Sequence, residues 1–406
     1  MGRTMKDSGI EWIGEIPEDW DKDKVVRIFS TIGSGTTPKS NDENYFDGKN
    51  NWIQSGDING GILKECKTKI SDEAVSKFSA LKLYVSPFLI MAMYGASVGN
   101  LSISKIDGYV NQACCVLKSE SSNMKYLFYS LYAARDELIL HAMGSGQPNI
   151  SQNTIKQLWL PFPPKKEQEI IVNLLDSKCN HINAILNKTR TSIEEYKKLK
   201  QSIITQAVTK GIRPNRKMKD SGIEWIGEIP EEWDIRRAKY YVNISHGSDP
   251  KTKGDIPVYG SGTESFKSCS EYKEGPCVLV GRKGATLHIP HYIDHRYWNV
   301  DTAFDVHEKE NFCLKFYYYL ACCFDYKYYI SQTTLPGMTQ TDYENMILPI
   351  PTNKGEQEEI SDYLDEKTSV LEKMIERKEQ LLTELENYKK SLIFEYVTGK
   401  KEVSVA

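Results

Sequence analysis

Met5-Lys-Asp-Ser-Gly-Ile-Glu-Trp-Ile-Gly-Glu-Ile-Pro-Glu18 recurs without a change at Met218–Glu231, 213 residues further along the chain. Asp19 then becomes Glu232, and Trp20-Asp21 returns as Trp233-Asp234. A match of this length excludes chance and marks a tandem duplication. A second pair of segments closes each half. Leu160-Pro-Phe-Pro-Pro-Lys-Lys-Glu-Gln168 answers to Leu348-Pro-Ile-Pro-Thr-Asn-Lys-Gly-Glu-Gln357, and Ser202–Thr209 to Ser391–Thr398, now at an offset of 189. The length difference between the halves therefore lies between opening and closing segments. The frame is duplicated and the blocks it holds have diverged.

The closing segments carry helix-period patterns. Leu175, Cys179, Ile182, Leu186, Thr189, Ile193, Tyr196, Ile203 and Ala207 follow alternating steps of three and four, with Lys200 the polar position. The second copy reads Leu364, Thr368, Leu371, Ile375, Lys378, Leu382, Leu385, Lys389, Leu392 and Tyr396. Such a sustained seam predicts long coiled-coil helices, opened by Pro161, Pro163 and Pro164 or Pro349 and Pro351, and closed by Gly211 or Gly399. Residues 165–217 hold 12 basic and 5 acidic side chains, whereas 354–406 hold 9 and 13. Opposite charge favours packing of the two helices on each other; the alternative is that each packs on its own globular half. The organisation read from this frame is an opening segment at 1–20, a first block at 21–164 and a central helix at 165–210. A linker with the second opening copy follows at 211–233, then a second block at 234–352 and a closing helix at 353–406.

At 406 residues the chain exceeds one core, and 40% apolar with 26% charged residues describes a globular protein. A net charge of -3 excludes a uniformly basic nucleic-acid coat but leaves room for a local basic face. Nine cysteines without one C-x-x-C pair fit a reducing cytoplasm better than disulfides or a zinc ribbon. No apolar run follows the first charges, so no secretory signal is read there. The uncharged stretch between Lys82 and Lys105 is long enough to span a bilayer, yet Pro87, Gly95, Gly99 and Asn100 break it. Two buried strands, Phe88–Tyr94 and Val98–Ile103, joined by a Gly-Ala-Ser turn, fit it better. The blocks also hold β-type runs at Trp52–Gln54, Tyr109–Leu117, Ile256–Tyr259, Cys277–Val280 and Thr302–Val306, with helical stretches at Lys125–Ala142 and Asn311–Ile330. Both blocks read as mixed α+β globules.

Catalytic signatures are missing. There is no G-x-x-x-x-G-K cradle, no G-x-G-x-x-G, and no Asn or Asp before a Pro-Pro pair of the aminomethyltransferase kind. His288, His291 and His295 beside Asp294 form the best metal candidate, but nothing completes the ligand set, and polar loop histidines are the simpler reading. What recurs is loop chemistry suited to base edges and phosphates. The first block offers Thr36, Thr37, Lys39, Gln54, Ser55, Tyr94, Ser97, Gln147 and Asn149; the second offers Tyr259, Ser261, Thr263, Arg282, Lys283, Thr339 and Gln340. Asn and Gln suit adenine, Arg and Lys suit guanine, and hydroxyls hold phosphates. Structural turns remain the alternative, as does a solvated β-turn for Arg282 and Lys283.

End to end, the chain resembles the specificity subunit of type I restriction–modification systems. The resemblance rests on the two openings, on Gly33-Ser-Gly-Thr-Thr-Pro38 followed by Trp52-Ile-Gln-Ser-Gly-Asp57, on Gly254–Gly260 and Gly281-Arg-Lys-Gly284, and on the Pro-rich Glu-Gln segments. It implies an α+β chain built as a pseudo-twofold tandem repeat. Two globular mixed α/β target recognition domains would be separated by two long antiparallel coiled-coil helices, spanning roughly 60 Å at 1.5 Å per residue. It also implies double-stranded DNA with a bipartite, asymmetric site as ligand. Two methylation subunits and restriction–translocase subunits would be the partners, with no membrane. No cofactor belongs to this chain; S-adenosylmethionine, ATP and Mg2+ would sit in the partners. The rival readings are a standalone DNA-modifying enzyme, which would need its own catalytic motif, and a coiled-coil adaptor that binds only protein.

Overall fold

In the computed structural model residues 3–142, 149–284, 286–326 and 337–403 are described. They divide into two units, Met1–Asn187 with Leu382–Ala406, and Lys188–Leu381. The first unit opens with a hairpin of β1 (Met5–Asp7) and β2 (Glu15–Pro17), then β3 (Asp21–Lys24), α1 (Val25–Ile28) and β4 (Thr31–Gly33). There follow β5 (Phe46–Ile53), β6 (Ile62–Leu63), β7 (Lys69–Ile70), α2 (Asp72–Lys77), β8 (Phe88–Ala92), β9 (Leu101–Ser104), β10 (Tyr109–Val110) and β11 (Cys114–Lys118). After α3 (Met124–Ala133), α4 (Arg135–Leu140) and α5 (Gln152–Gln157), β12 (Trp159–Phe162) pairs with β3 and leads into α6 (Lys165–Lys210).

A five-stranded sheet, β4-β11-β8-β9-β6, faces a three-stranded one, β10-β5-β7. The continuous apolar runs of β8 and β11 are what a strand covered on both faces requires. Leu89, Met91, Cys115 and Leu117 point to the cluster that holds Tyr126, Leu127 and Leu131 of α3. Phe88, Ile90, Ala92, Cys114 and Val116 point to Ile53 and Val110 of the smaller sheet.

The second unit repeats this plan. Its strands are β13 (Met218–Asp220), β14 (Glu228–Pro230), β15 (Asp234–Arg237), β16 (Val242–His246), β17 (Ile256–Tyr259), β18 (Lys267–Cys269) and β19 (Cys277–Gly281), then β20 (His291–Ile293), β21 (Trp298–Asn299) and β22 (Ala303–Glu308). α7 (Leu314–Ala321), α8 (Gln340–Asn345) and β23 (Ile347–Ile350) lead into α9 (Lys354–Val397). The sheets here are β16-β22-β19-β20 and β18-β17-β21.

Each opening hairpin is latched to a long helix by the same three residues. Trp20 Nε1 donates to Glu167 at 2.8 Å, and Arg3 bridges Glu167 and Asp19. In the second unit Trp233 donates to Glu356 at 3.3 Å, and Arg216 bridges Glu356 and Glu232. Both arginines are held protonated above their usual range, chiefly by the helix glutamate, against a smaller opposing effect of burial. The Glu-Gln pair of the closing segments is thereby explained, since the glutamines hold the N-cap residues of α3 and α7. Gln168 accepts from Asn123 N at 3.1 Å and Gln357 from Cys313 N at 2.8 Å. A further duplicated clamp escaped the sequence reading: Lys125 and Tyr129 hold Asp176, as Lys315 and Tyr319 hold Asp365.

The two alternatives for the long helices are both realised. In the first unit Leu175, Cys179, Ile182 and Leu186 of α6 share one core with Leu392, Ile393, Tyr396 and Val397 of α9 and with α3. In the second, Ile204, Ala207 and Val208 of α6 join Ile360 and Leu364 of α9 in the core of that block. The helices also pair with each other, antiparallel: Lys197 meets Glu379 at 3.8 Å, and Lys200 meets Glu372. Gly211 and Gly399 end the helices with φ of +73° and +71°, a conformation that glycine enters without steric cost.

Other expectations need correction. The helical stretch Lys125–Ala142 breaks at Ala134 (φ -80°, ψ 3°), where Arg135 turns to donate to Val98 O at 3.3 Å. Asn311–Ile330 is helical only over Leu314–Ala321 among the described residues. The second strand of the uncharged stretch begins at Leu101 rather than Val98, after a 3-10 turn at Gly95–Ser97. No helix among the described residues is long and apolar enough to cross a membrane. Tyr109–Leu117, read as one run, is two strands in different sheets, parted by a turn in which Cys114 N donates to Asn111 O at 3.2 Å and the Asn111 side chain accepts from Ala113 N at 3.1 Å.

Candidate nucleic-acid interface

Strand direction gathers the polar loops of each unit at one edge. In the first unit β4 and β8 run antiparallel to β11, and β10 runs parallel to β5. The C-terminal ends of β4, β5, β8 and β10 therefore meet the N-terminal end of β11. The loops leaving these ends carry Thr36, Thr37, Gln54, Ser55, Tyr94 and Ser97, and Asn149 bridges to Tyr94. In the second unit the same edge collects Tyr259, Ser261, Thr263, Arg282 and Lys283, with Lys283 bridged to Gly337.

The two edges share a backbone pattern. Asn111 N donates to Ile53 O at 3.1 Å and Val300 N to Tyr259 O at 3.0 Å. Met93 N donates to Ala113 O, as Arg282 N does to Thr302 O, both at 2.7 Å. Ile150 N donates to Met93 O, as Met338 N does to Arg282 O, both at 2.9 Å. Tyr94 and Lys283 thus occupy one position in the two frames. Gly35 and Gly247 also correspond: a Cβ on either would lie 1.7 or 2.2 Å from the carbonyl oxygen of Val110 or Val300, so only glycine lets the chain pass.

The side chains are committed to different degrees. Tyr94, Asn149, Thr263 and Lys283 are exposed. Thr36 accepts from Trp52 Nε1 through its carbonyl at 3.2 Å, and the Thr37 hydroxyl bonds the Gln112 amide. Gln54 donates to Thr68 at 3.1 Å, and Ser55 opens a 3-10 turn. Ser97 approaches the Tyr94 carbonyl at 3.5 Å, and Ser261 bonds Thr286 at 3.2 Å. Arg282 leans on Asp301, donating to its carbonyl at 3.1 Å with its carboxylate 3.6 Å away. Lys39 is exposed beyond this turn. Thr339 and Gln340 are used locally, Thr339 as the N-cap of α8 and Gln340 in a bond to Glu344 at 2.7 Å. Gln147 lies outside the described residues.

Two of the three candidate histidines, His291 and His295, lie against Tyr259. His295 Nε2 lies 3.2 Å from the buried Tyr259 hydroxyl and its Nδ1 3.1 Å from Asp294, while the His291 ring packs on Tyr259. Burial pushes the His291 pKa down, with His295 adding to it, and this favours the neutral ring. His288 is exposed. Among the described residues no three His, Cys, Asp or Glu side chains are grouped to hold a metal ion.

The duplicated frame with a loop-bearing edge on each block coincides with a known family model, the type I restriction modification DNA specificity domain, matched over residues 17–195 and 230–387. The chain belongs to this family. Its curated relatives include the type I restriction enzyme MjaVIII specificity subunit of Methanocaldococcus jannaschii, 28% identical over 57% of this chain and 51% of that protein. The putative MjaX specificity subunit of the same organism is 28% identical over 59% of this chain and 57% of its own length. The chain thus spans little more than half the length of the curated relatives it matches. A solved chain from work on complex assembly and conformational transition of the type I R-M system has the same fold. It aligns over 95% of this chain and 99% of its own, with a TM-score of 0.71 at 16% identity.

Proposed function

We propose that this chain is the DNA-reading subunit of a type I restriction–modification complex and is not itself an enzyme. The observation that carries this reading is the repeated edge: one backbone frame, built twice, presents unlike polar side chains from two blocks. A frame of that kind suits two unlike half-sites of a bipartite, asymmetric sequence in double-stranded DNA. α6 and α9 set the spacer between the half-sites and dock methylation subunits, two to a complex. Methyl transfer and cleavage belong to partner subunits, which bind S-adenosylmethionine, ATP and Mg2+, and the complex works in the cytoplasm.

Mapping methylated bases across the host genome with and without this gene tests the reading directly. One bipartite motif should vanish with the gene; an unchanged methylation map would refute the assignment. Inserting or deleting residues within Gln201–Val208 should change the spacer and leave both half-sites alone.

A further inference from the structure

We propose that the apex of the turn after β10 or β21, Gln112 in the first unit and Asp301 in the second, is a base-reading position shared by both edges. The proposal rests on the DNA-reading function above and names the residues and base classes of that site.

The turn is hydrogen-bonded at its base and exposed at its tip. Asn111 N is tied to β5 through Ile53 O, Cys114 N closes the turn onto Asn111 O at 3.2 Å, and the Ala113 carbonyl receives Met93 N from the end of β8. The second unit repeats all three bonds: Val300 N to Tyr259 O, Ala303 N to Val300 O at 3.1 Å, and Arg282 N to Thr302 O. The flanking side chains have diverged, Asn111 against Val300 and Ala113 against Thr302, so the shared geometry comes from the backbone. Gln112 and Asp301 stand at the centre of the two turns, and both are exposed. A reader of sequence needs this combination, since a fixed backbone sets the reach and the variable side chain sets the base.

The chemistry at the two tips differs. The Thr37 hydroxyl bonds Gln112 Oε1 and so holds the side chain from behind, while Ser34 donates to the Gln112 main-chain carbonyl at 3.3 Å. Among the described residues the Gln112 Nε2 has no partner. An amide so held offers a donor and an acceptor to an adenine edge. Asp301 carries Arg282 beside it. A carboxylate accepts from the cytosine amino group and a guanidinium donates to guanine, so the pair fits one C·G step. The first edge has Met93 where the second has Arg282.

The test uses the full chain assembled with its methylation subunits and a pool of duplexes carrying two randomised blocks. Wild type should enrich one bipartite motif. Gln112→Ala should lose about tenfold discrimination at one position of one half-site, and Asp301→Ala the same at one position of the other. Gln112→Glu, which removes the donors and keeps the shape, should change the base preferred there. Variants that melt like wild type and enrich its motif at every position would overturn the proposal, as would binding weakened equally on all sequences, which marks a phosphate contact. Failure of wild type to enrich any bipartite motif is a different result, and removes the DNA-reading function itself.

Discussion

Beneath their matching edges the two units are filled with opposite chemistry. In the first, Tyr84 and Gly108 exchange backbone bonds, and the space below holds Val110 and Val116 in an apolar cluster. In the second, Lys273 and Tyr297 make the same exchange, but Asn299 and Asp305 stand where the valines were. Asp305 is 2% exposed, and Lys273 Nζ lies 2.8 Å from both Asp305 and Asn299. Tyr297 at 3.3 Å, His307 at 3.2 Å and the Asn299 amide at 3.3 Å also bond the carboxylate, and Asn299 donates to Ala303 O at 3.0 Å. One backbone frame therefore tolerates either filling, on one condition. A polar interior must be complete, because each buried group left without a partner costs its whole desolvation.

The harshest way to break the comparison is to put the charge without its partners into the first unit. Val116→Asp should destabilise that unit by about 4 kcal/mol or more, since nothing cationic replaces Lys273 there. Calorimetric unfolding would show it, and a near-neutral effect would mean that the cluster admits water. Next, Asp305→Val copies the first unit's residue into the second and leaves the Lys273 ammonium without its counter-charge, at about 3 kcal/mol. Adding Lys273→Met should recover much of that loss; a double variant no better than the single one would show that the ion pair is not the stabilising feature.

The gentlest test is acid. Burial pushes the Asp305 carboxyl up, but bonds from His307 and Lys273 outweigh it and hold the pKa at about 2. The folded value lies below that of the unfolded chain, near ~3.9. The stabilisation is therefore whole above about pH 4 and drains away as pH falls toward about 2. The first unit has a valine at that place, so acid should lower the melting transition of the second unit and spare this contribution in the first. Equal acid shifts in both, or none in the Asp305→Val variant's parent, would contradict the assignment.

The two latches offer a second comparison. In the second unit Gly211 at the end of α6 packs on Trp233, only a short linker away in sequence. In the first, Gly399 at the end of α9 packs on Pro17 and Trp20, far away in sequence. The repeated tryptophan was visible in the sequence as a repeat, but its partners were not. Arg3 and Arg216 fall just outside the identical stretch, and Glu167 and Glu356 sit in helices whose apolar seams and summed charge do not single them out. Ion pairs leave no period in a sequence, whereas buried faces do.

By itself the sequence determined the duplication, the two long helices with their seams, the mixed character of both blocks, and the family resemblance. Those are properties of periodicity and repetition, which local steric rules and burial impose residue by residue. Only the tertiary structure decided that Tyr109–Leu117 bends between two sheets, that the polar loops share one edge, and that Gln112 and Asp301 stand at its centre. It also decided that Thr339 and Gln340 serve helix α8, and that each long helix lends one end to each unit's core. These depend on which strand ends meet and which backbone groups remain to be paired, and hydrogen bonds between distant segments are satisfied only when the whole chain is in place.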